Sequence, residues 1–165
     1  MSNWKLLDEL EYKAVWNFVY GTLLFRPYNE IEKLIILPVP HKRYSISGFY
    51  DSGFDEGIYD NLHDTTLNVF KQISPKEKMY ALNWQHECYS FSPLLTFEKD
   101  EFDEWLISIF PNGDYLFFLT ADFKNGVFAD GIHLSISFFG DDIVNAFEKE
   151  KPEILMEKDK TKETV

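Results

Sequence analysis

The sequence predicts an α+β protein with a single, mostly antiparallel sheet of five or six strands, a C-terminal meander and about three helices packed on the sheet. Three observations predict this class. Two long segments carry apolar residues at helical spacing, and the second half of the chain is rich in alternating aromatic and β-branched residues. Asn-Gly and Asp-Gly pairs interrupt that second half, as expected where short turns join antiparallel strands.

A helix over residues 9–23 is predicted first. Asp8 and Glu11 have the spacing of a capping box, which marks a helix start. The apolar residues that follow at a spacing of four are Leu10, Ala14 and Phe18. The run 34–37 is short and apolar, which favours a strand, and the alternation within residues 44–51 favours a second strand.

A second helix is predicted over residues 56–73, because apolar side chains keep helical spacing until Pro75 ends the pattern. Residues 79–91 alternate and predict one strand with a core-facing side. The side chains expected on that face are Tyr80, Leu82, Trp84, His86 and Cys88. Asn112 and Gly113 lie between two aromatic runs and predict a hairpin.

The remaining elements form the predicted meander. A strand over residues 115–123 is followed by Asn125-Gly126, and an Asp-Gly pair precedes the alternating strand 132–139. Asp141 is the expected N-cap of a last helix. The helices are expected on one face of the sheet.

The length of 165 residues suits one domain. We expect residues 1–150 to form it, with a charged, disordered tail over 151–165, because no repeat or Gly/Ser-rich linker divides the chain. Cys88 is the single cysteine, which excludes an internal disulfide and favours a reducing compartment. No secretory signal pattern or bilayer-spanning run is present, so we expect a cytoplasmic protein without a membrane partner.

The acidic net charge indicates which classes of partner the protein can bind. The net charge is −12 and the isoelectric point is near 4.7. Nucleic acid is therefore not expected as a partner, because phosphate contacts are made by Lys and Arg. An acidic surface suits a basic protein partner, although a solvated surface that only keeps the chain soluble would give the same composition. The sequence sets no oligomeric state.

Several stretches carry a family resemblance. They are MYALNWQHECYSFSP, FPNGDYLFFLTADFKNG and SFFG, with Trp4, Tyr12 and Trp16 in the N-terminal helix. Over most of residues 4–147 the chain resembles the DUF2716 family, a bacterial domain of unknown function common in Gram-positive bacteria. The resemblance implies one domain and a bacterial cytosolic setting, and it brings no activity. Family members commonly carry a Gly-His-Pro-Trp-Glu-like stretch where this chain has FADGIHLS, so any role of that stretch is lost or altered here.

His86 and Cys88 are the first candidates for chemistry. On a strand, residues two apart share a face, so the pair could ligate an ion or form a thiolate–imidazolium pair. The alternative is a packed core strand with one hydrogen-bonded histidine, since free cysteine is usually buried. His133 could complete a His/Cys/His zinc site with His86 and Cys88 only if the two strands presented these side chains to one cavity. Even then a fourth ligand would be missing. We expect no metal and no cofactor.

Other residues enter as weaker candidates. Asp114 could act as an acid or base, but it follows Asn-Gly, where a short polar side chain commonly bonds the local backbone. The candidate catalytic residues are thus His86, Cys88 and Asp114, and the candidate binding residues are Trp84, His86, Tyr89, Tyr115 and His133.

Two functions of different classes compete. The first is a non-enzymatic acidic protein-binding module, most concretely an immunity or antitoxin-like protein that neutralises a basic toxin. The second is a small-molecule-binding protein or hydrolase with a site around His86. No phosphate loop, nucleophile elbow or zinc-protease motif is present to favour the enzyme.

Overall fold

The computed structural model describes residues 3–51, 55–75, 77–96, 98–111, 113–156 and 163–164. The strands are β1 (Lys5–Leu6), β2 (His41–Ser45), β3 (Met79–Asn83), β4 (Tyr89–Phe91), β5 (Tyr115–Thr120), β6 (Gly126–Asp130), β7 (Ser135–Phe139) and β8 (Glu163–Thr164). The α-helices are α1 (Glu9–Asn17), α2 (Ile31–Leu34), α3 (Ser47–Asp51), α4 (Glu56–Ile73), α5 (Asp141–Lys149) and α6 (Glu153–Met156). A π-helical turn, Phe18–Thr22, continues α1.

These elements confirm the α+β class. The strands form one antiparallel sheet in the order β1-β4-β3-β5-β6-β7-β2-β8. The sheet has eight strands rather than five or six, because short edge strands at both ends have too few residues to show a pattern.

Both faces of the sheet are buried, whereas the sequence predicts helices on one face only. In β3, Met79 and Ala81 pack into a core with side chains of α4, α5 and α6, and Tyr80 and Leu82 pack into a second core. The second core is covered by α1, the π-helical turn and the segment 23–37. This is why β5 is buried at every position.

The two long helices are confirmed. Helix α4 has the predicted bounds, and the Asp55 side chain accepts hydrogen bonds from the first turn. Asp8 caps α1 by accepting from the Glu11 backbone N–H at 2.8 Å. The π-helical turn carries the first helix to Thr22, one residue short of the predicted end.

Helix α5 begins at Asp141, one residue before the start that an N-cap at Asp141 predicts. Gly140 holds the N-cap position with a φ of +107°, and a Cβ there would lie 2.3 Å from the Lys124 carbonyl oxygen. Only glycine tolerates both the positive φ and this close approach.

Two predicted strands are wrong in extent or kind. Residues 34–37 are not a strand: α2 ends at Leu34, and the chain then crosses the sheet face, where the Ile36 N–H donates to the Leu23 carbonyl. Leu34, Ile35 and Leu37 cover a core instead of pairing in the sheet, and Ile36 is exposed. Of residues 44–51, only the first two belong to β2, and α3 begins at Ser47.

The predicted single strand 79–91 is a hairpin. Strands β3 and β4 pair antiparallel, with Met79 opposite Phe91 and Ala81 opposite Tyr89. Gln85 adopts a φ of +65° in the turn between them. Tyr80, Leu82, Trp84 and Cys88 still pack into the same core, as predicted, whereas His86 lies exposed in the turn.

The hairpin predicted at Gly113 is also wrong. Strand β5 pairs with β3 and β6, while the preceding residues 98–111 contain no strand and place Trp105 and Ile109 in a core. Asn112 lies outside the described residues. The β5–β6–β7 meander is confirmed, although β7 begins at Ser135.

The segment expected to be disordered begins with structure. Helix α6 buries Ile154 and Leu155, because these two apolar residues pack against the core beneath α4. Residues 157–162 and 165 of the predicted tail lie outside the described residues. In the part of the chain that the structure describes, no helix combines the length and apolar character needed to cross a bilayer.

Candidate functional site

Residues 84–88 form the β3–β4 turn, and Tyr89 begins β4. The His86 backbone N–H donates to the Asn83 carbonyl at 2.9 Å, and the His86 side chain is exposed. The prediction that His86 faces the core is therefore wrong. The backbone hydrogen bond holds residue 86 in the turn, and the ring projects into solvent.

Cys88 faces the opposite way from His86. Its side chain is 3% exposed, and the thiol donates to the His86 carbonyl at 3.5 Å. Burial raises the pKa of the Cys88 thiol, so the reactive thiolate is disfavoured. The structure thus separates the two members of the predicted thiol–histidine pair into a solvent-facing ring and a packed thiol.

Two predicted binding residues do come together. Trp84 and Tyr115 lie edge to face with ring centroids 5.8 Å apart, and Tyr28 packs against both rings. The Tyr28 N–H donates to the Tyr115 hydroxyl at 2.9 Å, and the Trp84 indole N–H donates to the Tyr20 hydroxyl at 2.8 Å. Tyr89 instead packs edge to face against Trp4, in the other core.

Asp114 and His133 lie at the same end of the sheet as the β3–β4 turn. Asp114 accepts a hydrogen bond from the Asn83 amide at 3.2 Å. His133 Nδ1 lies 2.7 Å from the fully buried Asp130 carboxylate. Three strand spacings separate the β3–β4 and β6–β7 turns, so His86 and His133 are roughly 14 Å apart, too far to share an ion. Among the described residues, no cluster of three His, Cys, Asp or Glu side chains could hold a metal.

A concentrated acidic surface lies elsewhere, beside α4. We define the acidic surface as Asp60, Asp64, Asp100, Glu101, Phe102, Asp103 and Glu104. Four of its carboxylates and Lys99 surround one small cleft of about 140 Å³. At the loop tip, Phe102 is 74% exposed. A large apolar side chain is thus presented to solvent between two acidic neighbours in the sequence, Glu101 and Asp103.

The loop that carries the acidic surface is held by its own hydrogen bonds. Asp100 Oδ1 accepts from the N–H groups of Phe102 at 2.8 Å and Glu104 at 3.0 Å. The Asp100 N–H in turn donates to the Glu104 carbonyl at 2.7 Å. Asp103 takes a positive φ of 63°, which closes the turn. The exposed tip is therefore pre-formed.

Below the tip, the loop is anchored to α4. His63 is 5% exposed, and its Nε2 lies 2.9 Å from the Ser108 hydroxyl while its Nδ1 lies 2.9 Å from the Tyr59 carbonyl. Trp105 packs edge to face on the same imidazole. Burial lowers the pKa of His63, so the ring is neutral in the fold near pH 7. Because both ring nitrogens have partners, we assign His63 and Ser108 a structural role.

A second, mostly apolar cleft of about 430 Å³ lies between the segment 31–39 and the sheet. Its apolar lining includes Leu34, Ile36, Val39 and Phe128. Its polar and charged lining residues are Glu32, His41, Arg43, Asp130, Ser135 and Ser137. This cleft was not predictable once residues 34–37 were expected to pair as a strand. For the acidic surface, the signal in the sequence is one phenylalanine among six charged residues over 98–104.

Comparison with known proteins decides the family. Residues 6–144 match the family described as "Protein of unknown function (DUF2716)". The chain belongs to this family. It is also 34% identical over 163 residues to the uncharacterized protein YxiI of Bacillus subtilis (strain 168), an alignment that covers 96% of this chain and 100% of YxiI. No solved structure matches the chain.

In this DUF2716 chain, the departing stretch FADGIHLS forms the end of β6 and the turn into β7. Asp130 Oδ1 accepts from the N–H groups of Ile132 and His133, which fixes the turn. A Cβ on Gly131 would lie 2.5 Å from the Gly113 backbone nitrogen, so glycine is required where the two backbones meet. The stretch therefore has a clear structural role here.

Proposed function

We propose that this protein is a non-enzymatic, cytoplasmic binding protein whose acidic surface engages a basic protein partner. The most concrete form is an immunity-type protein that neutralises a basic toxin. The observation that carries the proposal is Phe102, exposed at the tip of a pre-formed loop and flanked on both sides by carboxylates.

Charge supports recognition of a cationic surface. Within the acidic surface, the lining of the small cleft contains four carboxylates and one cation, Lys99, which pairs with Asp103 at 3.8 Å. An excess of like charge on one face attracts oppositely charged partners and raises the association rate, most strongly at low salt. The same excess would repel nucleic acid.

Phe102 supplies the apolar anchor. Burying a phenylalanine side chain in an interface contributes roughly 1.5–3 kcal/mol, and aromatic residues are common at interface hot spots. The bonds from Asp100 fix the loop before binding, so less conformational entropy is lost on association. A charged rim around a rigid aromatic residue suits a basic partner with an apolar pocket.

The alternative, a small-molecule site or hydrolase centred on His86, has weaker support. His86 is exposed at a turn, Cys88 is buried, and Asp114 is bonded to Asn83. None of these observations brings the three candidate groups to one cavity.

The test is affinity capture from Bacillus subtilis lysate at low and high salt, with matched charge reversals. The test variant is Asp103→Lys with Glu104→Lys. The control variant is Glu9→Lys with Glu30→Lys, because Glu9 and Asp103 are both exposed and both pair with a lysine four residues away. Both variants change the net charge from −12 to −8, so they are matched in net charge and differ in where it changes.

We expect the wild-type chain and the control to retain the same basic protein at low salt, and the test variant to lose it. Capture of no basic protein by the wild-type chain would contradict the proposal. Equal loss in both variants would also contradict it, because net charge and not the acidic surface would then explain the binding.

A further inference from the structure

The cleft between the segment 31–39 and the sheet has the dimensions of a small-molecule site. Its volume of about 430 Å³ lies within the roughly 300–1,000 Å³ typical of such pockets. Phe128 of β6 lines the cleft from the sheet side. The aliphatic side chains that line it are Ile31, Leu34, Ile35, Ile36, Leu37 and Val39. A ligand in the cleft would therefore contact mainly aliphatic surface.

The mouth of the cleft is apolar as well. Ile36 is 60% exposed and Val39 is 71% exposed, although both side chains are aliphatic. Exposed apolar side chains that line a cavity are a feature of ligand-binding grooves, because a bound apolar molecule shields them from water. The apolar lining thus continues from the interior of the cleft to its opening.

The buried carboxylate in the lining is already satisfied within the protein. Asp130 is fully buried, and its Oδ1 accepts hydrogen bonds from the N–H groups of Ile132 and His133 at 2.9 and 3.0 Å. Its Oδ2 lies 2.7 Å from the Nδ1 of the His133 ring. Asp130 therefore uses its acceptor oxygens to hold the β6–β7 turn.

The other ionisable groups of the lining are also engaged or hydrated. Arg43 already interacts with another group of the protein, and the His41 Nδ1 lies 3.2 Å from the Pro38 carbonyl oxygen. Glu32 is exposed, so its carboxylate stays in water at the rim. A charged ligand of either sign would lose its hydration and meet a like charge, since the lining contains both carboxylates and a guanidinium. The lining therefore favours an uncharged ligand.

We infer that this cleft binds a small, uncharged, mainly aliphatic molecule. Its body lies against the aliphatic side chains of the segment 31–39 and the ring of Phe128, and burial of apolar surface drives the binding. This site is separate from the acidic surface beside α4 and does not depend on the function proposed for it.

Fluorescence titration of the full chain with phenylnaphthylamine, an uncharged dye that brightens in apolar surroundings, tests the inference. Octanol, octanoate and octylamine then compete with the dye at neutral pH, so one alkyl chain carries a neutral, an anionic or a cationic head. The test variants are Ile36→Glu and Val39→Glu at the mouth. The controls are Leu95→Glu and Leu10→Glu, which add the same charge at aliphatic residues that are 60% and 80% exposed outside this cleft. Thermal melting of each variant checks the fold.

We expect the dye to bind the wild-type chain and both controls, and octanol to displace it at lower concentration than octanoate or octylamine. Each mouth variant should weaken the binding of dye and octanol about fivefold or more, because a carboxylate there keeps part of the ligand in contact with water. The two mouth residues are changed separately, so the second variant decides if the first fails to fold. No dye binding by the wild-type chain, displacement by octanoate or octylamine as readily as by octanol, or unchanged affinity in the mouth variants would overturn the inference.

Discussion

The Asp100 carboxylate accepts a hydrogen bond from the backbone N–H of Phe102 at 2.8 Å, and this bond fixes the exposed tip of the acidic surface. The same oxygen accepts from the Glu104 N–H. Asp100→Ala should loosen the loop, whereas Asp100→Asn should preserve it because the amide oxygen still accepts. Hydrogen exchange of the two amides measures this: we expect faster exchange in the alanine variant only. Equal exchange in all three proteins would show that the loop is held by other contacts.

Protonation of His63 should destabilise the protein. Its folded pKa lies below the ordinary value of about 6.5, chiefly because the ring is buried. The unfolded chain therefore takes up the proton first as pH falls. The stability from the neutral ring is complete above about pH 6.5 and is lost as pH falls from there through the lower folded pKa.

Urea unfolding at about pH 7.5 and about pH 5.5 measures this loss. The difference in unfolding free energy between the two pH values should be smaller in His63→Gln than in the wild-type chain. The exposed His86→Gln serves as the control and should keep the wild-type difference. A His63→Gln protein with the full wild-type pH dependence would contradict the account.

Cys88 should react slowly in the folded protein. The thiol is buried and its pKa is raised, so both access and the thiolate fraction are low. We expect a disulfide reagent such as DTNB to react much more slowly with the native chain than with the chain in urea. Equal rates in the two states would instead support a reactive cysteine.

His86 should contribute little to stability. Its side chain is exposed, so His86→Ala should change the unfolding free energy by no more than about 0.5 kcal/mol. His63→Ala, which leaves the Ser108 hydroxyl without its buried partner, should cost about 1–3 kcal/mol. A large loss in His86→Ala would indicate contacts that an exposed turn does not provide.

The long elements were predictable because local patterns fix them. Helix α4 has a capping aspartate before it, Pro75 after it and a regular apolar stripe between. Its bounds therefore follow from the sequence. The family resemblance, drawn mainly from β3, β4 and the meander, is confirmed by the match over residues 6–144.

The β3–β4 hairpin was not predictable from alternation. Both faces of β3 are buried, so apolar residues occupy both parities and continue past the turn. The turn itself uses Gln85 at positive φ, a position where Gly or Asn gives the usual signal. Two-sided burial also explains why residues 34–37 were predicted as a strand. Their apolar run covers the second core and so resembles a buried strand.

For the candidate site, the sequence predicts the acidic character but not the position in the fold. The net charge of −12 indicates an acidic surface, but only the packing of residues 98–105 against α4 brings Asp60 and Asp64 beside Asp103. Those contacts join parts of the chain about forty residues apart, which local patterns do not encode.

Growth rescue tests the central claim most directly. The chain is co-expressed with a panel of basic bacterial toxin domains, alongside the Asp103→Lys/Glu104→Lys variant and the Glu9→Lys/Glu30→Lys control. The account predicts that the wild-type chain and the control restore growth against at least one toxin while the acidic-surface variant does not. Rescue of none of the toxins, or equal rescue by all three chains, would contradict it.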